Sequence, residues 1–261
     1  MTMLRRPSQI TNGHFSRRQQ DLIESGFSRP RLEILPKAFA VSVYVPPVVA
    51  KCRELYSQAA IAEFETTTDL IAAHAEILHV AHGARNDAAV QQINNWHPEL
   101  IGKPADVVFE YDFKLDDARW ALSRECGYQN WDDALAKAKP IDVAFENAVD
   151  LALAGDLSGL DAALSDRPDL LQQTSSFGHQ ATILIYMGSN GVEFWRQVVP
   201  ENICDVVKLL AKMGADPSAT ANVYGGQLDV LALADSSAHP AAAGVAEELV
   251  SLLKSIVQSK P

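Results

Sequence analysis

The chain has 261 residues, 48 % of them apolar, and carries 22 Lys and Arg against 33 Asp and Glu, for a net charge of −11. That length and apolar fraction suffice for one large or two small globular units with a buried core, while the acidic balance excludes a surface built to track phosphates, so no nucleic-acid partner is expected. Three widely separated cysteines, Cys52, Cys126 and Cys204, form no C-x-x-C pair for zinc or redox chemistry, and reduced thiols in a cytoplasm are expected.

Residues 1–37 carry a net +4 and the remainder −15, so the chain opens on a basic arm, bounded here at 1–45. No apolar stretch follows Arg6, and the arm does not read as a signal peptide. The longest apolar run, AFAVSVYVPPVVA at 38–50, is too short to span a bilayer and is cut by Pro46 and Pro47. A short strand and then a helix start are expected there, with no membrane partner. In PPVVAKCRELYSQAAIAEF, Val49, Cys52, Leu55, Tyr56 and Ala59 recur at three- and four-residue spacing, one apolar stripe behind a proline-led start. Thr67 or Thr68 is expected to cap the next helix, through Leu70, Ile71, Ile77 and Leu78.

That second helix carries HAEILHVAHG, three of the chain's seven histidines and a glutamate within ten residues. His74 and His79 diverge around a helix, and Glu76, His79 and His82 step by three but curve away from a common point. With no H-E-x-x-H spacing, no metal is expected, nor any other cofactor.

Residues 115–138, LDDARWALSRECGYQNWDDALAKA, read as helix, turn, helix. Leu115, Ala118, Leu122 and Cys126 form a stripe, Gly127 supplies a left-handed stop, and Asn130 can cap the second helix. Hairpins this short cannot bury their apolar faces alone, so they must stack. The chain compared with itself agrees, since ARNDAAVQQINNWHPEL at 84–100 aligns with AGDLSGLDAALSDRPDL at 154–170 through a small-residue turn, an apolar helix and a closing Pro-acid-Leu. Trp96, Trp120 and Trp131 sit on or at the ends of such stripes and read as core or cap residues.

The stretch VVKLLAKMGADPSA, 206–219, resembles the second helix and exit turn of an ankyrin repeat. Val206, Leu209 and Leu210 take the core positions, Gly214 stands where the helix end wants a left-handed residue, and Asp216 where a side chain can bond the following amides. Gly155-Asp156, ATILIYMGSNG in place of the usual Thr-Pro-Leu-His, the Leu78-His79-x-Ala81 remnant, whose His would bond between neighbouring turns, and the closing LVSLLKSI are weaker matches in phase with it. From about Ala75 onward the chain is similar to bacterial ankyrin-repeat proteins whose repeats follow a helical leader ending in Gly-aromatic-x-x-Trp, here Gly127, Tyr128 and Trp131, with Asn130 where that group usually has Ser. The resemblance implies an all-α fold, an irregular ankyrin-type helical-hairpin solenoid with a helical N-terminal extension. A helical leader with a degenerate repeat would occupy 46–140, and repeats with two insertions 141–261. It also implies a cytoplasmic, monomeric module that recognises an unidentified protein or peptide without intrinsic catalysis.

Leu209 and Leu252 stand 43 residues apart, about ten more than one repeat, and the stretch before Val206 carries a similar excess. Insertions in a solenoid map to one face, so those at 192–203 and 235–244 are expected side by side. Phe194, Trp195, Arg196 and Gln197, with Tyr224 and His239, form the expected binding patch, because aromatic residues and Arg are enriched at hot spots. The alternative is a small-molecule or hydrolytic pocket between the insertions that uses Glu193, Arg196, Ser236, Ser237 and His239. Asp235-Ser236-Ser237-Ala238-His239 has the composition of a nucleophile triad, but sequence neighbours rarely reach triad geometry, and His239-Pro240 fits the start of the last helix. Tyr224-Gly225-Gly226 lacks the lysine and spacing of a P-loop and reads as a turn between repeats. A third reading makes the repeats purely structural and places the activity in residues 1–73.

Overall fold

The computed structural model describes residues 41–259, and the basic arm expected at 1–45 lies outside them up to residue 40. The described chain is mostly helical, with two short antiparallel ribbons, and no described helix is long and apolar enough to cross a membrane.

The apolar run at 38–50 supplies β1 (Val43–Tyr44) and, behind Pro46, α1 (Pro47–Leu55). The stripe on α1 and beyond buries Val49, Cys52, Tyr56 and Ala59. Helix α2 (Thr67–Gly83) begins one residue earlier than expected: Thr66 is the cap, its Oγ1 accepting from the Asp69 amide at 3.2 Å, while Thr67 and Thr68 are buried. The leader continues through α3 (Asp87–Trp96), α4 (Ala105–Glu110), α5 (Leu115–Glu125) and α6 (Trp131–Ala136).

The turn between α5 and α6 shows why glycine precedes the aromatic residue. Gly127 has φ +84°, and a Cβ there would lie 2.1 Å from the His179 nitrogen. The close approach lets the His179 amide donate to the Cys126 carbonyl at 3.1 Å, and the Asn222 side chain to the Gly127 carbonyl at 3.0 Å. Asn130 caps α6 by accepting from the Asp133 amide at 2.9 Å.

Next come α7 (Val143–Leu153), α8 (Leu157–Asp166), the one-turn α9 (Ile183–Tyr186), β2 (Val199–Pro200) and α10 (Ile203–Met213). The hairpin β3 (Thr220–Val223) and β4 (Gly226–Asp229) leads into α11 (Val230–Ser236), α12 (Ala238–Ala242) and α13 (Ala246–Ser259). Strand β1 pairs with β2, Val43 opposite Pro200. The two aligned segments share one local geometry: Arg85 and Gly155 are both left-handed, at φ +55° and +69°, and are followed by caps in which Asn86 accepts from Ala88 and Asp156 from Gly159, each at 2.9 Å. Gly214 ends α10 at φ +101°, and Asp216 accepts from the Ser218 amide at 2.9 Å.

One boundary differs from expectation. His239-Pro240 does not open the last helix, because Ser237 caps the short α12, the chain turns at left-handed Gly244, and α13 starts at Ala246.

Two apolar clusters form the core, one among α2 to α6 with Leu78, Ile93, Leu122 and Phe177, the other over α1 and the later helices with Phe145, Leu160, Tyr186 and Leu210. Fully burying one such aliphatic or Phe side chain contributes roughly 1.5–3 kcal/mol. Trp195 packs against both clusters. The inter-turn bonds expected of His79 are made by its neighbours: His74 Nε2 donates to the Ala59 carbonyl at 3.0 Å and His82 Nε2 to the Val108 carbonyl at 2.7 Å.

Candidate functional site

Glu193 to Gln197 is built around a single 3-10 turn at Phe194–Arg196. Such a turn has three residues per revolution, which places residues i and i+3 on one face. Glu193 and Arg196 therefore share a face, Phe194 and Gln197 a second, and Trp195 takes the third. The expected patch divides accordingly. Phe194 and Gln197 line a cleft of about 340 Å³ together with Tyr224 and His239, whereas Trp195 and Arg196 line a separate cavity of about 560 Å³. Phe194, Arg196 and Gln197 are only 6, 4 and 5 % exposed, so they do not form an open outer edge. The segments around Gln197 and His239 do sit side by side: His239 Nε2 donates to Gln197 Oε1 at 3.3 Å, and Ser237 Oγ to the Ser189 carbonyl at 2.9 Å.

The face carrying Glu193 and Arg196 is inward and charged. The Arg196 guanidinium bonds Glu146, reaches Asp150 at 2.9 Å and Glu193 at 3.6 Å, and lies 5.7 Å over the Tyr186 ring. The Ala181 amide donates to His179 Nδ1 at 3.1 Å, so the ring proton sits on Nε2, 3.6 Å from Glu193 Oε1, which also accepts from the Tyr186 hydroxyl at 3.2 Å. Burial alone would raise the Glu193 carboxyl, but the His179 ring and Arg196 more than offset it and hold it at about 2. For Glu146 burial outweighs Arg196, and its carboxyl lies above the usual range.

The leader holds this turn from behind. Glu125 Oε1 accepts from the Phe194 amide at 2.7 Å, and its other oxygen accepts from the Gln92 side chain, which in turn accepts from the Tyr56 hydroxyl at 2.6 Å. Burial pushes the Glu125 carboxyl up to about 8 against those bonds.

The face carrying Phe194 and Gln197 opens on a cleft of different chemistry, with no Asp, Glu, Lys or Arg among its lining residues. Its polar groups include the carboxamides of Gln91, Asn95, Asn190 and Gln197, two serine hydroxyls, the Tyr224 hydroxyl and the His239 imidazole. Gln197 Nε2 donates to the Val192 carbonyl at 2.8 Å, which turns Oε1 toward His239 and fixes the proton on Nε2 of that ring. Burial lowers the His239 pKa, so the ring is neutral at neutral pH. Gln91 and Asn95, one turn apart on α3, have no side-chain hydrogen-bond partner among the described residues.

Tyr224 roofs this cleft from the tip of the β3–β4 hairpin. Tyr224 and Gly225 have φ +53° and +76°, the pattern of a type I′ turn, whose first position favours Asn, Asp or Gly. A tyrosine there is strained. Its ring stacks parallel on Trp96 with centroids 5.6 Å apart, and its hydroxyl donates to Asn190 Oδ1 at 2.6 Å, yet the residue remains 59 % exposed.

The polar set of the alternative pocket is not brought together, since Glu193 and Arg196 face the charged interior while Ser236, Ser237 and His239 face the cleft. Ser236 Oγ donates to the Ala232 carbonyl at 2.8 Å and Ser237 Oγ to Ser189, so neither hydroxyl bonds the imidazole. Sequence reasoning missed Gln91, Asn95 and Asn190. For Gln91 and Asn95 the one signal was amide-rich polarity beside Trp96, in a segment read only as a repeat helix; Asn190 gave none. Comparison with family models, with curated proteins and with solved structures finds no match to this chain.

Proposed function

We propose that the protein is a recognition module of ankyrin-type stacked hairpins, and that it binds an extended, uncharged peptide segment in the cleft between its two insertions. The observation that carries this is the lining: the Gln91 and Asn95 carboxamides, without a side-chain partner among the described residues, beside a Tyr224–Trp96 platform, with no charged side chain. A carboxamide offers one acceptor and two donors, the complement of a peptide unit. Gln91 and Asn95 project from one helix face with Cβ atoms about 5–6 Å apart, close to the roughly 6.6–6.8 Å between alternate residues of an extended chain. The cleft volume lies at the lower end of the range for binding sites, roughly 300–1,000 Å³, enough for a short segment. The aligned helix pairs and their shared turn geometry support the solenoid reading, which makes recognition rather than chemistry the natural use of the surface.

Selection of a displayed random-peptide library on the full-length protein tests the reading. Enriched peptides should be poor in Asp, Glu, Lys and Arg, and should lose binding to the Gln91→Ala/Asn95→Ala variant, whose side chains the fold does not use. Enrichment of charged peptides, or binding indifferent to that variant, would sink the proposal.

A further inference from the structure

The second cavity, on the opposite side of the 193–197 turn, has a chemistry of its own. Its walls include Val45, Tyr56, Ile61, Leu153, Trp195 and Val198, and its volume of about 560 Å³ falls within the range of small-molecule sites. Three charged residues line it, Arg53, Asp150 and Arg196. Arg196 is committed to Glu146, Asp150 and Glu193, and that commitment also holds Asp150, whose carboxylate lies 2.9 Å from the guanidinium. Arg53 is exposed and makes no ion pair among the described residues. Among the described residues, Arg53 is thus the one charged lining residue without an ion-pair partner, beside apolar walls.

We propose that this cavity binds an amphipathic monoanion, an organic carboxylate whose aliphatic or aromatic body lies against Trp195 and Tyr56 while its carboxylate pairs with Arg53. A guanidinium offers a planar fork of donors that matches a carboxylate. The apolar walls favour a body removed from water over a fully polar ion. A dianion would gain little more, because Arg196 has no charge left to offer and Asp150 would repel it.

The test uses decanoate and 2-naphthoate as probes, titrated into the full-length protein and followed by calorimetry, with decan-1-ol as the uncharged control. Saturable one-to-one binding of at least one carboxylate is expected, weakened about tenfold by Arg53→Gln, with decan-1-ol binding wild type no better than decanoate binds that variant. Trp195 fluorescence should respond to the ligand, and the response should vanish in Trp195→Phe while calorimetric binding persists. If neither carboxylate saturates, or if Arg53→Gln and decan-1-ol match wild type with decanoate, the proposal is overturned. The Arg53 side chain is exposed and has no ion-pair partner among the described residues, so its replacement spares the described fold; retention of peptide binding by Arg53→Gln separates failure here from failure of the cleft reading.

Discussion

The two sides of the 193–197 turn use polarity for opposite ends. Inward, Glu193 and Arg196 meet Glu146 and His179, all four of them buried. Outward, Phe194 and Gln197 meet Tyr224 and His239 in a cleft without a charge. Buried charges bind each other strongly only because their desolvation leaves no alternative, so they specify one arrangement and are unavailable to a ligand. Neutral amides and hydroxyls cost less to desolvate and can exchange water for a partner. In this molecule charge organises the interior, and neutral groups are left for the cleft.

The comparison breaks most visibly at Arg196. Replacing it with methionine leaves Glu146 and Glu193 buried without their cation, and a loss of about 3–5 kcal/mol is expected in urea denaturation. Peptide affinity of the fraction still folded should be unchanged; a stable variant that had lost binding would put Arg196 on the wrong side of the divide.

His74, stacked on Tyr56 at 4.1 Å beneath Trp195, sharpens the same contrast through pH. Burial lowers its pKa from 6.5 to about 4, so between those values the unfolded chain binds a proton that the native one does not. Stability from this group is complete above pH 6.5 and is lost as pH falls toward about 4; at about 1.4 kcal/mol per unit the loss reaches about 3 kcal/mol. His74→Phe should flatten that part of the stability–pH curve, and an unchanged slope would assign it elsewhere.

On the neutral side the effects should appear in binding rather than folding. Tyr224→Asn relieves a left-handed residue, worth roughly 1–2 kcal/mol, but removes a ring stack worth roughly 0.5–1.5 kcal/mol. Melting should therefore move little, while peptide affinity falls about tenfold or more. A variant that binds as well as wild type would reduce Tyr224 to a hairpin tip. The smallest effect belongs to His239. With its pKa below the ordinary histidine value, binding should be flat through neutrality and weaken only on acidification below about pH 6.5, and His239→Gln should abolish that decline.

Much of the scaffold was legible because it depends on local backbone chemistry. Gly127 and Gly214 marked left-handed helix ends, Gly155-Asp156 marked a turn, Asn130 marked a cap, and the spacing of Val49, Cys52 and Tyr56 marked a buried stripe. The proximity of the segments 192–203 and 235–244 was an expectation of the ankyrin resemblance, and the contact between Gln197 and His239 brings them together. The division of the patch was not, because five adjacent residues in a loop carry no sign of whether they will form an extended edge or a 3-10 turn. Nor were Gln91 and Asn95, whose importance arises when the leader is placed against the hairpin tip, a juxtaposition across more than a hundred residues of chain. The cap at Thr66 and the separate helix at Ala238–Ala242 were missed by one to several residues for a simpler reason, since adjacent Thr and Ser residues compete equally well for a cap.

The threefold repeat of the 193–197 turn also governs how this molecule can change over generations. A substitution at Gln197 alters what the cleft offers, one at Trp195 alters the other cavity, and neither disturbs the ion pairs beneath, so the two surfaces are free to diverge independently. Deleting one residue ahead of Arg196 is a different event, because within the turn it shifts the following positions by about 120° and would turn a guanidinium toward a neutral wall. Drift by replacement is open to this segment, and drift by length is closed.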